Sequence, residues 1–245
     1  MNDPPDNRNI FDSYAENYRE IINRSARLSG ERFEYFVAVR LELMRRELER
    51  RTGREDGFAL LDFGCGIGET EKIMTGIFPR STLTGIDESI ESIARAMALS
   101  LVRTRFFVAR GLPLPLADLE FDAVYSNGTF HHIAAEGRPD MFRELWRVVK
   151  PGGHLFVFEN NPRNPFMMRA MRTNPFDAGL AAIAPSQLDS VGRLTGWSPL
   201  VTRYYFFFPR VLRALRPLEK ALGNVPWGAQ YYTIFRKPLA GDNSS

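Results

Sequence analysis

The stretch Leu60-Leu61-Asp62-Phe63-Gly64-Cys65-Gly66-Ile67-Gly68-Glu69-Thr70 joins a short apolar run to three alternating glycines, and no other stretch restricts the fold of this chain as strongly. The apolar run predicts a strand and the residues after Gly68 predict a helix, so the glycines mark a strand-to-helix turn. With no side chains at Gly64, Gly66 and Gly68, the backbone can turn tightly and bring bare peptide groups against a ligand. Asp62 then stands near the carboxyl end of the strand, where doubly wound sheets bind their ligands.

The spacing narrows the ligand. A dinucleotide fingerprint reads GxGxxG, whereas this segment reads GxGxG with a carboxylate two positions ahead of the first glycine. A pyrophosphate is served by a helix N-terminus without a nearby carboxylate; a nucleoside that carries an amino acid brings an ammonium group that a carboxylate helps to position. Further along, Thr82 to Ile86 reads as a second strand ending in Asp87-Glu88-Ser89, with Ser89 as N-cap of the next helix. An acidic residue at that point suits ribose hydroxyls, which makes Asp87 the ribose candidate. Arg105 to Ala109 and Phe121 to Asn127 read as the third and fourth strands, the latter apolar enough to be buried on both faces. Gly137 to Lys150 predicts an amphipathic helix with Phe142, Leu145, Trp146 and Val149 on one stripe, stopped by Pro151-Gly152-Gly153. His154 to Glu159, Val201 to Phe208 and Gln230 to Arg236 complete a set of seven strands.

Three segments, DFGCGIG from Asp62, FDAVYSNGTFHH from Phe121 to His132, and LWRVVKPGGHLFVFE from Leu145 to Glu159, resemble signatures of the class I S-adenosylmethionine-dependent methyltransferases of the small-molecule type. Phe11 to Tyr18 resembles the helix that opens many of these domains, with Arg19 where the pattern has Asp. The resemblance implies an α/β fold: a Rossmann-like seven-stranded sheet, mostly parallel with an antiparallel last strand, and helices on both faces. It implies S-adenosylmethionine as cofactor, held by Asp62, Gly64, Cys65, Gly66, Gly68, Asp87, Glu88, Arg110, Gly111 and Asn127, with Tyr14 and Tyr18 closing over its methionine end. One position departs from the pattern. Related enzymes usually carry an acidic acceptor for the adenine amino group where this chain has Arg110, and arginine has no acceptor; Gly111 keeps a backbone contact available.

The whole chain reads as one methyltransferase domain. Residues 1–55 would supply N-terminal cap helices, 56–160 the cofactor-binding core, 161–198 an acceptor-side insertion, and 199–237 the last two strands with an intervening helix. Glu31 to Arg51 predicts a long scaffold helix with Phe33, Phe36, Val37, Leu41, Met44 and Leu48 inward and Glu47 paired with Arg51. The insertion, rich in Asn, Met and Pro, is expected to be irregular and to wall the acceptor pocket, where Met167, Met168 and Met171 could line an adaptable apolar surface. Arg210, Arg213, Arg216 and Lys220 recur on one helical face, opposite Val211, Leu212, Leu215 and Leu218, with Pro217 interrupting. Such a helix either covers the sheet or lies on a membrane surface.

Composition excludes some classes. At 245 residues with 44% hydrophobic content, the chain can bury a sizeable core. No apolar run approaches the roughly 18 residues of a membrane span, and the polar start with Pro4 and Pro5 does not read as a secretion signal. Cys65 is the sole cysteine, which fits a reducing, cytoplasmic setting and a packing role rather than a nucleophile. A net charge of +3 says little about partners. Neither a zinc-spaced Cys/His motif nor an RNA-binding signature is present, and Gly128-Thr129-Phe130 follows Asn127 in place of a base-methylating NPPY motif, so neither a metal nor nucleic acid is expected.

A methyl group on a sulfonium is already electrophilic, so the protein mainly aligns an acceptor and excludes water. A hydroxyl acceptor must also lose its proton, for which His131 or His132 is the candidate base; a carboxylate or neutral amine needs none. The leading expectation is methyl transfer to a small molecule at oxygen or nitrogen. A lipid-linked or amphiphilic acceptor at a membrane surface and a non-catalytic S-adenosylmethionine-binding module are the alternatives.

Overall fold

The computed structural model describes residues 29–239 and 241; Tyr14 and Tyr18 lie outside them. A long helix, α1 (Phe33–Thr52), precedes an alternating series: β1 (Ala59–Phe63), α2 (Glu69–Ile77), β2 (Thr82–Asp87), α3 (Ile90–Ala98), β3 (Thr104–Val108), β4 (Phe121–Asn127), α4 (Arg138–Val148) and β5 (Val149–Asn160). Then come α5 (Pro165–Thr173), α6 (Pro185–Leu194), β6 (Ser198–Tyr205), α7 (Glu219–Leu222) and β7 (Gln230–Arg236). The strands form one sheet in the order β3-β2-β1-β4-β5-β7-β6. All pairs from β3 to β5 are parallel, and β7 runs antiparallel to both β5 and β6.

Alternation along the central strands decides which helices cover which face. Leu61, Phe63, Val124, Leu155 and Val157 point to one side, where Phe142 and Leu145 of α4 and Leu188 of α6 meet them. Leu60, Ala123, Tyr125, Phe156 and Phe158 point to the other, against Val37, Leu41, Met44 and Leu48 of α1 and Met74 of α2. Phe36 of α1 is only half-buried and lies edge-on to Phe206, with ring centroids 5.0 Å apart. Ser89 caps α3 as anticipated, its side chain accepting from the Ser92 N–H, and Arg51 pairs with Glu47 at 3.0 Å.

Several boundaries differ from the sequence reading. Helix α4 stops at Val148, and Val149 already belongs to β5, where it pairs with Phe121. Pro151-Gly152-Gly153 therefore lies within the strand, at a register shift, and a Cβ on Gly153 would stand 2.9 Å from the carbonyl oxygens of Asp122 and Lys150. Trp146 is exposed rather than inward because Lys237 claims it, its Nζ 3.7 Å from the ring centroid while donating to the carbonyls of Trp146 and Val149. Strand β6 runs from Ser198 to Tyr205 instead of Val201 to Phe208, because Phe206 takes a left-handed φ of 59° and turns the chain away. Between β5 and β6 the insertion is only partly irregular: it folds into α5, with Asn164 accepting from the Met167 N–H as cap, and α6, and residues 174–184 belong to neither. Segment 210–218 forms a 3-10 helix with non-helical geometry at Leu212, and none of its residues is buried, so it does not cover the sheet. Arg216 turns inward from the basic face, pairing with Glu31 at 2.9 Å and stacking 4.6 Å from the Tyr35 ring centroid.

His154 on β5 carries a stability prediction. Burial, reinforced by Arg51 and Arg236 and opposed by Glu47, depresses its pKa from 6.5 to about 4, and its Nδ1 has no hydrogen-bond partner among the described residues. Between those values the unfolded chain binds the proton and the folded chain does not, so stability falls as pH drops from 6.5 to 4. Replacing the ring by His154→Phe should remove on the order of 3 kcal/mol of that acid-induced loss, read by urea denaturation at several pH values. Equal losses in both proteins would contradict the assignment.

Candidate active site

The carboxyl ends of β1, β2, β4 and β5 form one rim, as the crossover of a doubly wound sheet requires. After β1, Gly64 and Gly66 take left-handed φ values of 86° and 53°. The N–H groups of Gly64 and Cys65 both donate to the Ile86 carbonyl, at 2.9 and 3.0 Å, which pins the loop over β2. A Cβ on Gly64 would overlap the Thr129 hydroxyl, whereas one on Gly66 would meet nothing within 4 Å among the described residues. Gly66 thus faces open space. Its N–H donates to Asp87 Oδ2 at 2.9 Å, and Asp87 Oδ1 accepts from the Ser89 N–H at 3.0 Å.

The open space is a cavity of about 1110 Å³, at the upper end of the range for sites that take one small ligand. Of the residues singled out from sequence, Gly64, Gly66, Asp87, Glu88, Gly111, Asn127, His131 and His132 line it. Four do not. Cys65 packs its side chain with Ile93, Ala96 and Phe106, and burial beside Glu71, Asp62 and Asp87 pushes its thiol pKa well up, so it fills space. Gly68 serves packing, since a Cβ there would lie 3.0 Å from that of Ala96 on α3. Arg110 swings to the exterior and donates to the Glu88 carbonyl at 3.1 Å, leaving Gly111 on the cavity wall. Asp62 sits behind the glycine loop, 3% exposed.

Asp62 has a companion that the sequence reading missed. Glu71 is fully buried on the inner face of α2, where ETEKIM reads as ordinary helix surface, and its carboxyl would crowd a Cβ on Gly85. Burial, then Asp87, raises the Asp62 pKa well above the usual carboxylate range, partly offset by Glu71. Burial and Asp62 do the same to Glu71. Asp62 and Glu71 thus hold their protons behind the loop, and Asp87 is the one of the three acidic side chains that lines the cavity.

The other end of the cavity is different. His131 is almost fully buried, its Nδ1 2.7 Å from Glu159 Oε2 and its Nε2 3.1 Å from Asp177 Oδ1. Burial alone would lower the pKa of this ring, but the two carboxylates outweigh it and push it up to about 10. Glu159 Oε1 also accepts from the Phe130 N–H. His132 Nε2 stands 3.5 Å from the same Asp177 oxygen, and the imidazole centroids are 4.3 Å apart. Despite burial, hydrogen bonds from both histidines hold the Asp177 carboxyl below its ordinary pKa. Neither Glu159 nor Asp177 was visible as a site residue in the sequence, since they lie 28 and 46 positions from His131. Arg40 was missed as well. It is 6% exposed, lines the cavity, and is held by neutral groups, with Nε and Nη2 donating to Gln230 Oε1 at 3.3 and 3.1 Å. Met167 and Met171 line the wall, but Met168 does not.

Comparison with known proteins finds similarity in both sequence and fold. Residues 61–157 match the family described as "Methyltransferase domain". A trans-aconitate 2-methyltransferase of Deinococcus radiodurans is 29% identical over 145 residues, covering 58% of this chain and 52% of the relative. A 2-methyl-6-phytyl-1,4-hydroquinone methyltransferase of Synechocystis is 36% identical over 113 residues, covering 44% and 34%. Among solved structures, a phosphoethanolamine N-methyltransferase 2 of Haemonchus contortus in complex with S-adenosyl-L-methionine superposes with a TM-score of 0.54 at 16% identity, covering 78% of this chain and 51% of that one. The chain spans about half the length, or less, of these relatives. Residues 61–157 are thus similar to a methyltransferase domain, and the solved structure shares the fold.

The buried carboxyl pair makes a testable prediction. With pKa values raised by folding, Asp62 and Glu71 bind protons in the native state that the unfolded chain has released, so the ligand-free protein loses stability as pH rises above the usual carboxylate range. Glu71→Gln should reduce that loss between about pH 5 and pH 8 in denaturant titrations without ligand. An unchanged pH slope would show that the pair is not proton-linked to folding.

Proposed function

We propose that the chain transfers a methyl group from S-adenosylmethionine to a small organic acceptor, at oxygen or nitrogen. The observation that carries this reading is the single cavity that joins the glycine loop and Asp87 at one end to His131, His132 and Asp177 at the other. Gly64 and Gly66 give backbone access, Asp87 and Glu88 take the ribose, Gly111 lies along the adenine, and Asn127 borders the methionine. A cationic ammonium or sulfonium lowers the raised pKa values of Asp62 and Glu71, so that their carboxyl groups ionise to meet it. Arg40, a buried cation whose hydrogen bonds among the described residues go to neutral Gln230, completes its ion pairing with the methionine carboxylate.

At the acceptor end, His131 is already protonated between its carboxylates, so it serves as a fixed donor and His132 is the ring that takes a hydroxyl proton. Acceptor alignment and water exclusion supply the rest. The relatives named for aconitate and a quinol support a small-molecule acceptor without choosing the atom. Arg110 prompted the non-catalytic alternative, and its turn to the exterior removes that motive.

Titration calorimetry with S-adenosylmethionine tests the cofactor end. Asp87→Ala and Arg40→Gln should each weaken binding by about 1.5–3 kcal/mol, the range for hydrogen bonds to charged groups. At the acceptor end, S-adenosylhomocysteine release on an acceptor panel should fall by about 10²–10⁴ in His132→Ala for a hydroxyl substrate. Native affinity in both binding variants would overturn the cofactor assignments, and native turnover in His132→Ala would remove the base.

A second reading is favoured by the surface around the mouth. Phe166, which lines the cavity, is 73% exposed, and Val211 and Trp227 are 86% and 75% exposed. Exposed Arg210, Arg213 and Lys220 flank them. Such a patch suits an amphiphilic acceptor presented at an anionic lipid surface. Phosphatidylserine-containing vesicles should co-sediment the protein, and Val211→Glu combined with Trp227→Glu should abolish this; no co-sedimentation of the wild type assigns the acceptor to bulk water.

A further inference from the structure

His131, His132 and Asp177 bring three ligand atoms of the kinds that zinc prefers to within 4.8 Å of one another. Bonds of about 2.0–2.1 Å in a tetrahedral site place neighbouring ligand atoms about 3.3 Å apart. The Asp177 Oδ1 separations from the two Nε2 atoms, 3.1 and 3.5 Å, bracket that value.

The surroundings also match. Glu159 fixes His131 by accepting from Nδ1, so that Nε2 is the nitrogen turned toward Asp177. A carboxylate behind a ligating imidazole is the outer support that metal-bound histidines usually have. Asp177 is oriented in turn, because its Oδ2 accepts from Asn174 Nδ2 at 2.8 Å and leaves Oδ1 for the two rings. Asn174 caps the end of α5, so the insertion supplies both the third ligand and its support.

We propose that His131, His132 and Asp177 bind one divalent cation of the zinc class, with Glu159 and Asn174 as positioning residues. The cation takes the place of the proton that otherwise bridges His131 Nε2 to Asp177. All three ligand side chains line the cavity, so the position that a three-ligand site keeps open faces an acceptor oxygen. This deepens the proposed methyl transfer and rests on it for its chemistry, in which His132 holds the ion rather than taking the proton itself. A hydroxyl bound to the cation gives its proton to water, and its oxygen then attacks the methyl carbon. One C–O bond forms, the C–S bond breaks with its electron pair going to sulfur, and S-adenosylhomocysteine leaves.

Metal binding can be read without any acceptor. The untagged full-length chain, stripped with chelator and dialysed against Zn²⁺, should retain one ion per chain by elemental analysis. Background is low, since the chain has only three histidines and His154 is buried at the far end of the central strands. His132→Ala and Asp177→Asn should each lower Zn²⁺ affinity at least about tenfold in calorimetry, and Glu159→Gln by about 10–100-fold. Co²⁺ should give the visible absorption of an imidazole-ligated site, lost in His132→Ala; circular dichroism verifies that the variants are folded. No retained Zn²⁺, or binding unaltered in folded His132→Ala and Asp177→Asn, would overturn the site. Turnover that persists in chelator in a chain that retains no metal would overturn the cation while leaving methyl transfer standing. One bound ion with the expected variant losses, in a chain that releases no S-adenosylhomocysteine with any acceptor, would support the site and count against the methyl-transfer reading alone.

Discussion

Asp87 bonds two backbone N–H groups at once, those of Gly66 and Ser89, and the shape of the cofactor end depends on that clamp. It ties the loop after β1 to the start of α3. The loop is already pinned to Ile86 through Gly64 and Cys65, so one carboxylate at the end of β2 fixes both the glycine turn and the wall beside it. Gly66 is left facing empty space because its own N–H is satisfied sideways, through Asp87, rather than by anything in the cavity.

The charges of the site fall into two groups with different physics. Behind the glycine loop, Asp62 and Glu71 are buried with carboxyl oxygens that no donor among the described residues reaches, so they carry raised pKa values and await positive charge. Around His131 the carboxylates are satisfied, by two imidazoles, a backbone N–H and the Asn174 amide. The first group avoids like-charge repulsion by holding its protons; the second is already paired. Arg40 stands apart from both, a buried guanidinium among Gln230, Tyr205 and Tyr125.

The places where the sequence reading slipped share a cause. Trp146 fits the apolar stripe of α4 on spacing alone, but Lys237, just after β7, lies over its ring and bonds its carbonyl. Arg216 fits a solvated basic face until Glu31 and Tyr35 draw it in. Glu71 fits a helix surface until α2 packs it against Gly85. In each case a local period was overruled by one contact from a remote segment.

What the sequence determined by itself was local: the strand-turn-helix at Gly64 to Gly68, the N-cap at Ser89, the apolar alternation of β1 and β4, and the acidic end of β2. These follow from backbone freedom, capping and burial pattern, which act over a few residues. Tertiary structure alone decided that Glu159 and Asp177 would meet His131, and that Arg40 would meet Gln230 across 190 positions. Such pairs carry no spacing rule, because closing a long loop costs little more than closing a short one and leaves no periodic trace in the chain. The His131 end of the cavity is therefore a property of the folded sheet and its insertion, while most of the glycine-loop end was legible in its motifs.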